Sequence, residues 1–343
     1  MYESTDYSQD GVVTILQKAT NGKGIDIILM GDGYSDRQIA NGAYKANIEY
    51  LYNNLFTEEP YKSFRDMFNV YYVTVVSKNE GYGVYNETTF SGYFGEGTKV
   101  GGNDAKAFEY AQKAIAAERM NDALIVVMMN SQAYAGTCYM YDPNIYNPSS
   151  GDYGSGASVA YFPLGTDNDM FAQMLHHEAC GHGFAKLDDE YAYEYMGAVS
   201  AGTIAQYNRL TPYGWYKNTD FTSDPATVKW HTFLSDPRYA NEGLGVFEGG
   251  ATYWTGVWRP TENSIMRHNT GGFNAPSREA IYYRIHKLAY GESWNYDHED
   301  FVAYDAVNRK ASAGISFSTP IVPKDFVPLA PPVIVGKSWR DAR

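Results

Sequence analysis

Apolar runs alternate with amphipathic stretches along the first 130 residues of the chain. Three runs are rich in β-branched, aromatic or other apolar residues, which favours buried strands: IDIILM at 25–30, NVYYVTVV at 69–76 and ALIVVMM at 123–129. Between these runs, apolar residues recur at helical spacing, first over about 35–55 and again over about 104–120. This alternation of strands and helices predicts an α/β layer with a largely parallel sheet.

The pattern changes in the middle of the chain. A stretch rich in Gly, Tyr, Asn, Pro and Ser, residues 130–155, is predicted to be a loop, and it leads to a short strand, ASVAYFP at 157–163. Asp167 or Asp169 is then expected to cap a helix. Residues 191–261 show no long periodic element, so we expect an irregular region held by aromatic packing.

The coarse division of the chain follows from these changes. We expect an N-terminal extension at 1–24, one domain at 25–311 and a Pro-rich strap at 312–343. The last helix of the domain is predicted at about 276–289, with Pro at its start and Asn274 or Ser277 as its cap.

Composition and charge exclude some classes of function. The chain has 27 basic and 40 acidic residues, a net charge of −13, and no basic patch, so no nucleic-acid partner is expected. Its longest apolar run is too short to span a membrane. The N-terminus lacks the features of a signal peptide, which fits a cytosolic protein or an exported one whose signal has been removed. The many tyrosines and glycines and the few lysines favour export to the periplasm, the cell surface or the medium.

The segment LHHEACGHGFAKLDDEY at 175–191 carries the candidate chemistry. A catalytic zinc ion needs three protein ligands, an open position for water and a nearby base. His177 and His182 are five positions apart, and an ideal α-helix would separate them by about 140°. A regular helix therefore cannot direct both side chains at one metal ion.

Two arrangements would still give a metal site. A π-bulge near 179–181, where Gly181 tolerates the change in backbone, would bring His177 and His182 together. Alternatively, His176 and Cys180 are four apart, but this pairing leaves His182 unused. We favour the first pair. The simpler alternative is a helix end whose polar residues form hydrogen bonds and bind no metal. Burying so many ionisable groups together is unfavourable, however, unless they coordinate a metal ion or pair with one another.

The chain has two cysteines, Cys138 and Cys180. Two residues define no disulfide framework, so they are either two unlinked buried thiols or one bridge that ties a loop to the candidate site.

The motif His177-Glu178…His182-Gly183-Phe184…Leu187…Asp189-Glu190-Tyr191 resembles the active-site signature of the bacterial IgA-metallopeptidase family, a metzincin-related group. The resemblance extends over about 25–290 through four further segments: GDGYS at 31–35, LFTEEPYKSFRDMFNVYYV at 55–73, WRPTENSIMR at 258–267 and REAIYYRI at 278–285. The usual His-Glu-x-x-His spacing of the family is one residue shorter.

The resemblance implies a metzincin-like catalytic domain at 25–311. Such a domain has a twisted, mostly parallel sheet with an antiparallel edge strand, an active-site helix and a Met-turn. We expect the edge strand at 157–163, where an extended substrate could pair by β-augmentation. Met266 in NSIMRH matches the methionine of the Met-turn.

The resemblance also implies roles for individual residues. His177, His182 and an aspartate would bind zinc, and Glu178 would be the general base. His268 is the candidate oxyanion stabiliser, with Tyr191 as the alternative.

The third ligand is either Asp188 or Asp189. The general metzincin spacing picks Asp188, six residues past His182, whereas the Asp-Glu-Tyr ending of the closer family pattern picks Asp189. Adjacent side chains in an extended segment point to opposite sides, so one metal ion would not take both. We favour Asp189, with Asp188 and Glu190 facing away from the metal.

The expected function is therefore that of an exported zinc endopeptidase acting on protein or peptide substrates. A different class is a glycan- or protein-binding module with a structural metal, in which alternating Tyr191, Tyr193 and Tyr195 line one face of a strand. A structural zinc site, however, takes four protein ligands and needs no adjacent glutamate. A zinc amidase acting on non-protein amides is a third candidate.

Overall fold

Twelve strands and nine α-helices are present in the part of the chain that the computed structural model describes, residues 1–143, 156–312 and 326–342. The strands are β1 (Val13–Gln17), β2 (Ile25–Asp32), β3 (Phe68–Val73), β4 (Tyr93–Phe94), β5 (Val100–Gly101), β6 (Leu124–Met129), β7 (Thr137–Tyr141), β8 (Ser158–Pro163), β9 (Ala192–Ala198), β10 (Phe247–Gly250), β11 (Thr252–Arg259) and β12 (Val333–Val335). The helices are α1 (Asp36–Ala40), α2 (Ala43–Leu55), α3 (Asp104–Ala111), α4 (Asn168–Leu175), α5 (Ala201–Leu210), α6 (His231–Ser235), α7 (Ile265–His268), α8 (Ala275–Tyr290) and α9 (His298–Ser312), with a π-helix at His176–Phe184.

The chain forms two compact units. The first contains Met1–Thr57, Phe64–Phe184 and Leu329–Arg343, and the second contains Glu58–Ser63 and Ala185–Pro328. The expected division of the chain at residues 24 and 311 stays a prediction.

The first unit contains a seven-stranded sheet in the order β1-β3-β2-β6-β8-β7-β12. Its four central strands, β3, β2, β6 and β8, are parallel, whereas β1 and β7 run antiparallel to their neighbours β3 and β8. The mixed α/β class and the largely parallel sheet are confirmed. The two outer strands come from segments predicted to lie outside the domain. Strand β1 belongs to the predicted N-terminal extension and β12 to the predicted Pro-rich strap.

Helices cover both faces of this sheet, which explains why its central strands are apolar throughout. On one face, Phe108 of α3 and Trp339 near the C-terminus pack with Ile28 and Val127 in one buried cluster. On the other face, the π-helix approaches Leu124 of β6 closely at Gly183. Parallel strands that are buried on both sides lose the alternation of polar and apolar residues, and β2 and β6 show this uniform burial.

The strand predicted at 157–163 is confirmed as β8, but its predicted position at the edge of the sheet is wrong, because β8 lies inside the sheet. It pairs with β6 on one side and with β7 on the other. The neighbour β7 is a five-residue strand within the predicted loop 130–155. It was not predicted, because the residues around it are rich in glycine and tyrosine. Residues 144–155 of that predicted loop lie outside the described residues.

The second unit has more regular structure than the sequence indicated. A three-stranded sheet in the order β10-β11-β9 and the ten-residue helix α5 lie within 191–261, so the expectation of an irregular region is wrong. The expected aromatic packing is confirmed: Trp215 and Trp230 are fully buried, and the ring of Tyr207 stacks on Tyr216 at 4.0 Å.

The helix predicted at about 276–289 is confirmed as α8, but it is not the last one, because α9 (His298–Ser312) follows it. Asn274 caps α8 by accepting a hydrogen bond from the backbone N–H of Ser277, and Pro276 lies in its first turn. Residues 313–325 of the predicted Pro-rich strap lie outside the described residues. Among the residues that are described, none of the helices has the length and apolar character needed to span a bilayer.

Candidate metal centre

The π-helix solves the spacing problem of the two histidines. Asp167 caps α4 by accepting a hydrogen bond from Met170 N–H, and the helix continues as a π-helix from His176 to Phe184. Hydrogen bonds in a π-helix join residues five apart, so His177 and His182 occupy equivalent positions on successive turns. The predicted distortion is confirmed, and it extends over nine residues rather than one bulged position.

The side chains of His177 and His182 converge. Their Nε2 atoms lie 3.1 Å apart, and the rings meet edge to face with centroids 4.8 Å apart. Two nitrogen ligands of a tetrahedral zinc ion, at bond lengths of about 2.0–2.1 Å, are roughly 3.3 Å apart. Both imidazoles are fully buried, and their spacing fits ligation of one metal ion.

A carboxylate completes the group. Ligand atoms of His177, His182 and Asp189 all lie within 4.8 Å of one another, and the three residues belong to one continuous segment of the chain. Two imidazoles and one carboxylate give three protein ligands, the number found in catalytic zinc sites that keep a position open for water. The donor set therefore fits a catalytic metal ion.

Asp188, the alternative third ligand, is engaged elsewhere. Its carboxylate accepts hydrogen bonds from the Thr219 hydroxyl at 2.9 Å and the Tyr207 hydroxyl at 3.2 Å. Burial, followed by the nearby charge of Asp189, raises the pKa of Asp188 to about 7. The structure thus brings Asp189, and not Asp188, to the two histidines.

Glu190 anchors the same segment from the other side. Its fully buried carboxylate accepts hydrogen bonds from the side chains of Asn218, Ser264 and Asn274, at distances from 2.7 to 3.0 Å. Burial raises the pKa of Glu190, and these three donors oppose the rise. Its backbone N–H also donates to the carbonyl oxygen of Met266 at 2.8 Å. Asp188 and Glu190 are therefore both held by polar groups around Asp189.

Asn218 binds this segment at three points. Its amide oxygen accepts from Asp188 N–H at 2.8 Å, and its amide nitrogen donates to the Asp188 carbonyl and to the Glu190 carboxylate, both at 2.9 Å. Sequence reasoning missed Asn218, because it follows no periodic element and belongs to no motif. Only the structure reveals its place beside the candidate ligands.

The alternative ligands His176 and Cys180 have other surroundings. His176 Nε2 lies 2.9 Å from the carbonyl oxygen of Asn54, and burial lowers the pKa of His176 to about 4. This histidine ties the start of the π-helix to the end of α2. Cys138 and Cys180 are both buried thiols, and neither forms a disulfide in the described part of the chain.

Glu178, the candidate base, follows His177 directly and is fully buried. Its carboxylate lies against the backbone of Gly136, just before β7: a Cβ atom at position 136 would be 2.6 Å from Oε1 of Glu178. The helix that carries the two histidines thus also carries an acidic group in a tightly packed position.

The two candidate oxyanion stabilisers lie in the second unit. His268 Nδ1 is 2.9 Å from Oδ1 of Asn263, and burial, followed by the charge of Arg267, lowers the pKa of His268 to about 4. Its imidazole is therefore neutral near pH 7. Tyr191 is buried, and its ring packs edge to face on Tyr193. Their catalytic roles stay predictions.

Comparison with known proteins agrees with the resemblance read from the motifs. A family model described as IgA Peptidase M64 matches residues 13–240, about two thirds of the chain. The matched range includes the π-helix and Asp189, and it ends before Met266 and His268. A search of curated proteins gives no significant match.

Proposed function

The chain belongs to the IgA peptidase M64 family and is therefore a metallopeptidase, and on this premise we propose that it is a zinc-dependent endopeptidase acting on extended protein substrates. One observation carries the proposal: a π-helix brings two buried histidines together with Asp189, and a glutamate directly follows the first histidine.

Zinc is the metal that this donor set favours. Imidazole nitrogens together with a carboxylate oxygen suit Zn²⁺, and three protein ligands are typical of its hydrolytic sites. His177, His182 and Asp189 would hold the ion. When bound, such an ion acts as a Lewis acid on the peptide carbonyl and lowers the pKa of water to about 7.

Glu178 would move the protons of the reaction. As a carboxylate it accepts a proton from the attacking water, whose oxygen forms a bond to the carbonyl carbon of the substrate. It then delivers that proton to the amide nitrogen as the C–N bond breaks, so that the amine leaves as a neutral group. The position of Glu178 beside His177 keeps the base close to the ligands without making it one of them.

The polar residues around Asp189 would hold its carboxylate toward the histidines. Asp188 and Glu190 are fixed on either side of Asp189 by Thr219, Tyr207, Asn218 and Ser264. Partners of this kind orient ligands and influence metal affinity.

We further propose that Met266 belongs to a Met-turn of a metzincin-like site. Supporting this, Met266 is fully buried and its carbonyl oxygen accepts the N–H of Glu190, next to a candidate ligand. His268, two residues later, would stabilise the oxyanion as a neutral hydrogen-bond donor. Export from the cell also belongs to this proposal and is supported by the tyrosine- and glycine-rich composition.

A sugar-binding surface is a second candidate, and one observation favours it. Tyr193 and Tyr195 stack on one face of β9 with ring centroids 5.2 Å apart, and Tyr195 is 81% exposed. Exposed aromatic rings of this kind bind apolar faces of ligands.

Substitution of Glu178 tests the proposed function. We expect Glu178→Ala to retain zinc, because Glu178 is not a ligand, and to lose peptide hydrolysis by about 10²-fold or more. Product analysis of a peptide mixture by mass spectrometry, with and without a chelator, measures the loss. Glu109→Ala, at an exposed carboxylate of α3, is the control and should retain activity.

Three results would contradict the proposal. Undiminished turnover by Glu178→Ala would exclude the proposed base. Hydrolysis of non-protein amides alone would indicate an amidase, and zinc binding by the wild type without any hydrolysis would indicate a binding module.

A further inference from the structure

Gly136 lies where any larger residue would collide with Glu178. A Cβ atom at position 136 would be 2.6 Å from Oε1, 2.7 Å from Cγ and 3.0 Å from Cδ of Glu178. Gly136 is not among the glycines with positive φ, so its backbone angles do not require glycine. The requirement is for space beside the Glu178 side chain.

The backbone at Gly136 is held in place. Its N–H donates to the carbonyl oxygen of Thr98 at 2.9 Å, and the next residue, Thr137, begins the pairing of β7 with β8. The Thr137 hydroxyl also accepts the N–H of Val100 at 3.0 Å. Because hydrogen bonds fix the strand on both sides, it cannot easily withdraw from an added methyl group.

The π-helix is equally constrained on its own side. Gly183 approaches the sheet so closely that a Cβ atom there would lie 2.6 Å from Cδ1 of Leu124. Phe184, at the end of the π-helix, packs on Phe68 of β3 with ring centroids 5.6 Å apart. These contacts pack the helix against the sheet, so we expect the flexible Glu178 side chain, rather than the helix, to yield to a methyl group at Gly136.

We propose that Gly136 is a positioning residue for Glu178: the missing side chain at 136 leaves the space in which the carboxylate rests beside the candidate metal ligands. This inference rests on the proposed role of Glu178 as the base. A methyl group at 136 would displace the carboxylate and leave His177 and His182 where they are. The base would then be misplaced in a site that still binds metal.

Gly136→Ala tests the proposal through kcat, KM and metal content measured together. We expect kcat to fall by about 10-fold to 10²-fold, the scale of a displacement of about 1 Å in a catalytic group. KM and the bound zinc should change little. The control is Gly336→Ala, because a Cβ atom at position 336 meets nothing within 4 Å and this glycine has no positive φ. An unchanged kcat in Gly136→Ala would overturn the proposal.

A double-mutant cycle with Glu178→Asp separates positioning from general packing. Aspartate is shorter and leaves space for the methyl group, so Gly136→Ala should reduce kcat less in the Glu178→Asp background than in the wild type. If the fold-losses of kcat in Gly136→Ala and in Glu178→Asp simply multiply in the double variant, Gly136 does not act through Glu178. If Gly136→Ala fails to fold, folding of the double variant supports the collision with Glu178, and failure of both contradicts it.

The crystal structure of zinc-loaded Gly136→Ala gives a readout that needs no activity. The Glu178 carboxylate should be displaced while β7 and the imidazole rings stay in place, and an unmoved carboxylate would refute the inference. If the wild type hydrolyses no peptide, the proposed function fails, and the position of Glu178 in this crystal still tests the inference.

Discussion

The π-helix and the extended segment after it hold their candidate ligands by different means. His177 and His182 are positioned by backbone geometry, because hydrogen bonds between residues five apart align them. Close packing on an apolar sheet, with Gly183 against Leu124, then fixes the helix. Asp189 has two neighbours, Asp188 and Glu190, whose buried carboxylates are held by neutral hydrogen-bond donors.

The difference has a physical consequence for each region. A helix packed against a sheet is destabilised by changes in side-chain volume, because the interior is close-packed and even one added methyl group lowers stability. A buried polar network responds to the loss of one partner, because the group left behind is desolvated without compensation. Substitutions that alter volume or hydrogen bonding should therefore affect the two segments in different ways.

Removing a histidine should have the largest effect of all. We expect His177→Ala and His182→Ala each to lose the zinc and essentially all peptide hydrolysis, because two protein ligands remain. His176→Ala and Cys180→Ser are the matched controls on the same helix and should keep most of the metal. Metal analysis of the purified variants decides between the two ligand pairs. Loss of zinc in Cys180→Ser together with retention in His182→Ala would favour the alternative pair.

Removing a hydrogen-bonding partner from the extended segment should have an intermediate effect. Asn218→Ala deletes three hydrogen bonds to Asp188 and Glu190, so we expect zinc affinity to fall by about 10-fold to 100-fold. Competition with a chromogenic chelator measures the affinity.

A buried asparagine elsewhere provides the control for that variant. Asn79 also bridges two backbone groups, the carbonyl of Tyr2 and the N–H of Glu87. Asn79→Ala should lower the free energy of unfolding and leave zinc affinity unchanged. Equal zinc affinity in both variants would show that the polar network does not orient Asp189.

Adding volume beneath the π-helix should have the smallest effect. Gly183→Ala places a methyl group against the flexible end of Leu124, which we expect to lower the free energy of unfolding by about 1–3 kcal/mol. The better helix propensity of alanine offsets up to about 1 kcal/mol of this loss. Denaturant unfolding measures the change, and Leu124→Val in the same chain should recover part of it. A variant as stable as the wild type would show that the packing at Gly183 is looser than the distances indicate.

The parts that the sequence predicted are those in which local pattern and final environment agree. Strands β2, β3 and β6 are long apolar runs, and their burial on both faces follows from that composition. The distortion of the active-site helix was also predictable, since two histidines five apart can share a metal only if the helix takes up an extra residue. The choice of Asp189 over Asp188 came from the family motif, and the alternation of side chains in an extended segment indicated only that one metal ion would not take both.

The parts that the sequence missed depend on partners far away in the chain. Strand β7 has only five residues, and its local composition is typical of a loop. Its strand conformation depends on pairing with β8 and β12. Asn218, Ser264 and Asn274 converge on Glu190 from separate elements, and no periodicity links them. The role of Gly136 likewise depends on Glu178, 42 positions later in the chain.

The most direct test of the central claim is a crystal structure of the zinc-loaded protein with anomalous diffraction measured on both sides of the zinc edge. The claim is that a π-helix makes His177 and His182 joint ligands with Asp189. We expect one zinc ion bonded to Nε2 of both histidines and to the Asp189 carboxylate, with Glu178 close by but not coordinated. Zinc bound by Asp188, or a regular α-helix through Gly181 with His182 turned away from the metal, would contradict the claim.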